Sequence, residues 1–221
     1  MLIKAENITH SYSGGAPVLS GVDIAIEEMQ TVGLLGQSGS GKTTLGQILS
    51  GLLRPTAGTV YFHENEVKFP FRGTPRSKIQ ILFQHPEISF NPRLTIFNSL
   101  KEIYKLYRIP FSEETLLEAL EEFGIYKEHL HRFPTQLSGG EIQRIALYRI
   151  LLPEPECIIL DEPTSMLDVI SQAQIMQMLK RLQQKRRISY LLITHDEYLC
   201  EVMSEKIYRI NKGKIFKEER K

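Results

Sequence analysis

Nine consecutive residues, Gly36, Gln37, Ser38, Gly39, Ser40, Gly41, Lys42, Thr43 and Thr44, have the types and spacing to hold a chain of phosphates. Gly36, Gly41, Lys42 and Thr43 fill the pattern G-x-x-x-x-G-K-[ST]. Glycine lets the backbone fold tightly enough for successive N–H groups to converge on phosphate oxygens, and a helix starting there adds its positive dipole end. In that pattern the lysine reaches the β- and γ-phosphates and the threonine hydroxyl suits Mg2+. An ordinary glycine-rich turn would share these residues, so the flanks decide. The apolar run Thr31 to Leu35 reads as a buried strand and Thr44 to Leu53 as a helix, which is the context the pattern requires.

Further along, Cys157-Ile158-Ile159-Leu160-Asp161-Glu162 is an apolar strand ending in two carboxylates. An α/β sheet places its ligands at that end of a strand. Asp161 suits a hard cation through oxygen, and Glu162 suits a base polarising an attacking water. Gln84 ends the short apolar run that starts at Lys78, placed either to reach such a site or to cap a surface, and His195 ends the run Ser189 to Thr194. Leu137-Ser138-Gly139-Gly140-Glu141 opens a second helix on two glycines, which is a second potential anion site or simple punctuation. Tyr12, just before Ser13-Gly14-Gly15, is open to packing or to stacking on a base.

These residues need a scaffold, and composition allows one. The chain has 221 residues, 42% hydrophobic and 24% charged, with a formal net charge of +1, as expected of an ordinary globular protein with a sizeable core. The near-neutral balance argues against nucleic acid as partner. No apolar run approaches the length of about 20 residues that a membrane span needs, and Met1 to Glu6 lacks the apolar core of a signal peptide. Cys157 and Cys200 stand far apart in apolar surroundings and read as buried free thiols of a reducing compartment, with neither disulfide nor metal spacing.

Alternating patterns at Leu2 to Tyr12 and Val22 to Glu27, with Thr59 to His63, predict a small antiparallel sheet beside the phosphate loop. From Ile88 to about Pro134 the pattern is helical, with segments 95–107 and 112–123, Ser112 as an N-cap, and Tyr104 and Tyr107 as packing residues. The helix after Leu137 shows an apolar face interrupted at Arg149. A helix at 171–187, a short one at 196–203 and a final hairpin across 211–213 complete the prediction. The fold class is α/β: a P-loop NTPase core with a mainly parallel sheet, a flanking antiparallel β-subdomain and an inserted α-helical subdomain. One domain over 1–221 divides into a nucleotide-binding core at 1–87 and 135–221 and a helical subdomain at 88–134.

In this order the motifs resemble those of an ATP-binding subunit of an ABC (ATP-binding cassette) transporter over nearly the whole chain. Gly36 to Thr44 matches Walker A, Gln84 the Q-loop, Leu137 to Glu141 the signature, Ile158 to Glu162 Walker B, Ser165 to Asp168 the D-loop and His195 the switch histidine. Tyr12 falls at the adenine-stacking aromatic. The resemblance implies ATP and Mg2+ as cofactors, with Thr43, Gln84 and Asp161 toward the metal and Glu162, His195, Lys42 and Gln84 as catalytic groups. It also implies a head-to-tail dimer with a second ABC ATPase subunit, identical or not, whose γ-phosphate Ser138 and Gly140 would touch. Integral membrane permease subunits would dock on the helical lobe, a solute-binding protein would act indirectly, and the subunit would sit peripherally on the cytoplasmic face of the membrane.

Phe83 to Arg93 is similar to the Q-loop region of the peptide and nickel importer branch, which suggests import of peptides, nickel or a metal chelate. Glu141 stands where the family usually has glutamine, Met166 where it has alanine, and the chain stops soon after Phe216. Two other classes compete. A soluble non-transport ABC ATPase would usually carry two cassettes in one chain, or coiled coil or zinc modules. A small-molecule kinase would leave Leu137 to Glu141, Asp168 and His195 without a purpose.

Overall fold

The computed structural model describes residues 1–218, which form two compact units. The first comprises Met1–Ile81, Pro155–Glu162 and the chain from Leu182 onward; the second comprises Leu82–Glu154 and Pro163–Arg181.

Two sheets build the first unit. Strands β1 (Ile3–His10), β2 (Leu19–Ile26), β4 (Ala57–Phe62) and β5 (Asn65–Glu66) form an antiparallel sheet in the order β2-β1-β4-β5. Ile3, Ala5, Ile8 and His10 are the buried positions of β1: the alternation skips one residue between Ala5 and Ile8, where the register shifts and Asn7 takes φ +51°, and so keeps one covered face. The second sheet has the order β10-β9-β3-β8-β7-β6, from β3 (Thr31–Leu35), β6 (Ile79–Leu82), β7 (Cys157–Asp161), β8 (Ser189–Thr194), β9 (Lys206–Asn211) and β10 (Lys214–Glu218). Every residue of β3, β7 and β8 is buried, which explains why these strands are continuous apolar runs rather than alternating ones.

β8 pairs in parallel with both β3 and β7, so Leu35, Asp161 and Thr194 end at one edge of the sheet. Helix α1 (Lys42–Leu49) follows β3, and its Leu45, Ile48 and Leu49 join Val32, Leu34, Ile159, Leu191 and Ile193 in one core. The short α2 (Thr74–Lys78) precedes β6, and α8 (Glu197–Met203) follows β8 with the Asp196 carboxylate capping Leu199 N–H at 2.9 Å. Cys157 and Cys200 are both buried thiols, as expected, and burial pushes the Cys157 thiol far up.

The second unit is helical: α3 (Ile96–Tyr107), α4 (Glu113–Glu121), α5 (Lys127–Leu130) and α6 (Gly139–Leu151), with 3-10 turns at Pro86–Ser89 and Pro134–Gln136. Helix α7 (Val169–Arg186) begins here and runs into the first unit. Ser112 caps α4 by accepting Thr115 N–H at 3.1 Å, as its sequence position predicts. Tyr104 is buried, its hydroxyl 2.5 Å from that of Tyr148, and its ring meets Phe111 edge-on. Arg149, the break in the apolar face, is explained by its partners: its guanidinium donates to Ser89 O at 2.6 Å and lies 4.8 Å over the Phe90 ring. No helix among the described residues is long and apolar enough to cross a membrane.

Several observed elements stop short of their apolar patterns, while β2, β4 and α7 begin before theirs. The first strand stops at His10, leaving Tyr12 outside it, and β6 stops at Leu82, leaving Gln84 beyond it.

Candidate functional site

The loop after β3 is shaped by positions where a side chain has no room. A Cβ on Gly36 would lie 2.5 Å from Ile210 O and 2.8 Å from Ser40 Oγ. Gly41 takes φ +105°, and its Cβ would lie 2.8 Å from Leu19 Cδ2 and 3.0 Å from Val18 O. Gly41 is also the N-cap of α1, so that helix begins with no side-chain cap and no acid in its first turn. Its first N–H groups have no intrahelical acceptor and belong to whatever the loop encloses.

Lys42 is nearly buried, and its Nζ donates to Gly36 O at 2.7 Å and to Gln37 O at 3.0 Å. The ammonium is thereby fixed under the loop, 3.9 Å from Glu162 Oε1. Thr43 Oγ1 donates to Asp161 Oδ1 at 3.3 Å, joining the loop to the end of β7. Burial raises the Asp161 carboxyl above its ordinary range; the Thr43 hydrogen bond opposes this, the Glu162 charge adds to it and Lys42 opposes it more weakly. A buried carboxylate that holds its proton too tightly is short of positive charge, and a hydroxyl and a carboxylate oxygen side by side suit a hard cation.

Glu162 has φ +50°, a conformation that costs a non-glycine residue energy and that clusters at functional sites. Its N–H donates to Ile193 O at 2.9 Å, which holds the turn against β8. The carboxylate is 12% exposed, and Oε2 lies 2.7 Å from Nδ1 of His195, whose side chain is 65% exposed. With a carboxylate as acceptor, Nδ1 carries the proton. Tyr12 is half exposed; its hydroxyl is 3.1 Å from Thr44 Oγ1, and its ring meets the buried His10 edge-on at 4.7 Å between centroids. The first unit thus brings Tyr12, the 36–44 loop, Asp161, Glu162 and His195 to one sheet edge.

The remaining expected site residues belong to the second unit. Gln84 Nε2 donates to Ser165 Oγ at 3.3 Å. Asp168 caps α7, its Oδ1 accepting from Ile170 N–H and Ser171 N–H at 3.0 Å each, and hydrogen bonds from Ser171 hold its carboxyl below the usual range. Ser138 caps α6: its Oγ accepts Glu141 N–H at 3.3 Å, while its own N–H donates to Glu141 Oε2 at 2.7 Å. Glu141 Oε1 lies 3.1 Å from Nε2 of His129, a residue the sequence motifs do not single out. Only its buried place on a short helix gives it a role, and no spacing in the sequence signals that.

A glycine-shaped loop at the edge of a parallel sheet, with one acid at the end of β7, two strands away, and a second just beyond it, is the arrangement that marks the class of P-loop nucleotide-binding proteins. The family model described as "ABC transporter" matches residues 19–165, and the chain belongs to that family. The nickel import ATP-binding protein NikE of Pseudomonas putida is 34% identical over 98% of this chain and 85% of its own length. The oligopeptide transport ATP-binding protein OppF of Streptococcus mutans is 34% identical over 97% of this chain and 73% of its own length. Other curated relatives are longer: the chain spans 39% of Escherichia coli YejF and 64% of Bacillus subtilis AppF. Among solved structures, the ATP-binding cassette MJ0796, a dimer in a post-hydrolysis state with ADP and Pi, matches with TM-score 0.85 at 30% identity, covering 99% of this chain and 98% of that one.

Proposed function

We propose that the chain is the ATP-binding and ATP-hydrolysing subunit of a membrane importer for peptides, nickel or a metal chelate. The observation that supports this most directly is the convergence of Lys42, Thr43, Asp161, Glu162 and His195 on the 36–44 loop within one compact unit. The import role follows the names of the relatives that match most of the chain.

In this reading the N–H groups of 36–44 hold the phosphates and Tyr12 stacks on the adenine. Two of the three Lys42 ammonium protons are committed to Gly36 O and Gln37 O, which aims the third at a β- or γ-phosphate oxygen. Thr43 and Asp161 are the residues that would hold Mg2+, with Gln84 as the further expected ligand; bound there, the ion supplies positive charge to the phosphates. Glu162 orients the attacking water and accepts its proton. The Glu162–His195 contact keeps the carboxylate turned, and the exposed His195 ring is free to approach the γ-phosphate. Proton transfer of this kind contributes roughly 10²- to 10⁴-fold in rate.

Leu137, Ser138, Gly139, Gly140 and Glu141 serve the nucleotide of a second cassette, with Asp168 in the same inter-subunit contact. The 88–134 segment is the surface for permease subunits, which place the protein on the cytoplasmic face of the membrane and link it indirectly to a solute-binding protein. Nucleic acid has no part.

The test is Glu162→Gln. It is expected to keep ATP binding, to dimerise on ATP, and to lose about 10²-fold or more of steady-state hydrolysis. Unchanged hydrolysis would sink the assignment of the base. Copurification of permease subunits with the protein from its native membrane supports transport; a purely soluble partner set points to a non-transport ATPase.

A further inference from the structure

The start of α6 is held by a chain of hydrogen bonds that begins outside the glycine-rich motif. His129 is 8% exposed, and its Nδ1 accepts Tyr126 N–H at 2.9 Å. An imidazole accepting at Nδ1 carries its proton on Nε2, so Nε2–H donates to Glu141 Oε1 at 3.1 Å. Glu141 Oε2 in turn accepts Ser138 N–H at 2.7 Å. Each oxygen of this carboxylate therefore has its own donor.

The N–H groups of Gly139 and Gly140, at the first two positions of α6, have no intrahelical acceptor. A negative charge in the first turn of a helix is drawn to such groups, which are also the donors an incoming phosphate uses. A Glu141 carboxylate with one unpaired oxygen would compete with that phosphate from within the same chain.

We propose that His129 is a positioning residue for the glycine-rich start of α6: through Glu141 it fixes the Ser138 backbone and keeps the carboxylate off the N–H groups that a partner's nucleotide would need. The inference deepens the proposed function and rests on it, since it presumes that 137–141 meets the phosphate of a second cassette. It assigns His129 no contact with nucleotide. Its effect exists only where position 141 carries a charge.

That dependence is the test. In protein carrying Glu162→Gln, the Mg-ATP concentration for half-maximal dimerisation is read by sedimentation velocity. His129→Ala is expected to raise it roughly tenfold, but by less than about twofold when Glu141→Gln is also present. His129→Gln, whose side-chain amide can place an N–H donor near Nε2, is expected to restore most of the loss. His129→Leu fills the site without a donor and carries the same expectation if the alanine variant does not fold. An unchanged midpoint for His129→Ala and His129→Leu overturns the proposal, as does an equal loss with and without Glu141→Gln, which marks a packing role. If the Glu162→Gln protein itself does not dimerise on ATP, the proposed function falls and takes this inference with it; dimerisation that ignores His129 removes the inference alone.

Discussion

Helices α1 and α6 both start beside glycines, and they start differently. Helix α1 opens at Gly41 with left-handed backbone, no side-chain cap and no acid in its first turn. Helix α6 opens at Ser138 with a reciprocal capping box, Ser138 and Glu141 each satisfying the other's N–H. The first start leaves its donors without an intrahelical acceptor and takes its shape from the surrounding chain. The second completes much of its own hydrogen bonding and holds its shape from within.

The glycines sharpen the contrast because they have different reasons to be glycine. Gly36 and Gly41 are enforced by this chain's own backbone, Ile210 O in one case and Val18 O in the other. Gly36→Ala is therefore expected to cost about 1–3 kcal/mol of stability by overpacking, read as a lower denaturant midpoint in the absence of nucleotide. Stability equal to the parent would mean that the loop's shape is not set by these contacts, and the contrast would fail at its first limb.

At the second start there is room. A Cβ on Gly139 would come no closer than 3.4 Å to Leu167 Cδ2, and one on Gly140 would meet the mobile end of Arg144 at 3.3 Å. Gly140→Ala is expected to leave the isolated protein unchanged or more stable by up to about 1 kcal/mol, because alanine has less unfolded-state freedom to lose. In the Glu162→Gln background the same substitution should weaken ATP-driven dimerisation. A glycine that its own chain does not need is then explained by a second one. Equal dimerisation with and without Gly140→Ala would leave that glycine as helix punctuation.

How much of this was legible in the sequence divides along physical lines. Runs such as Thr31 to Leu35 and Cys157 to Asp161 were readable because a strand buried on both faces must be apolar throughout. The acids at the end of β7 were readable because parallel strands bring their carboxyl ends to one edge. Helix α5 escaped because four residues are too few to show a period, and α2 because Gly73-Thr74-Pro75 reads as a turn. The left-handed Glu162 backbone, the two carbonyls that hold Lys42 and the His129–Glu141 contact are facts of three-dimensional geometry that residue types and spacing do not fix, even where the partners lie five to twelve residues apart. Gln84 and Asp168 gain partners that pattern alone could not assign: Ser165, 81 residues along the chain from Gln84, and Ser171, one turn from Asp168.

The smallest expected effect separates the two starts by charge. Burial works against the charged form of both acids, but at Glu141 it is outweighed by hydrogen bonds from Ser138 and by His129, so that carboxyl is held below its ordinary range. At Asp161 burial prevails, and the carboxyl stands above its ordinary range. The signs of the linkage are opposite. Ionised Glu141 adds stability that is present above the unfolded value of about 4.3 and is lost as pH falls through the lower folded value. Asp161 binds its proton more tightly folded than unfolded, so its ionisation removes stability as pH rises from the unfolded value of about 3.9 through the higher folded one. At pH 7 without nucleotide, Glu141→Gln should lower the unfolding temperature and Asp161→Asn should raise it, both differences shrinking as the pH is brought down through these windows. Adding Mg2+ and ATP should reverse the second difference, because a cation beside Asp161 supplies the charge it lacks and the asparagine does not hold one as well. Shifts of the same sign for the two variants would show that Glu141 in the first turn of α6 and Asp161 of β7, hydrogen-bonded to Thr43 of α1, do the same thing.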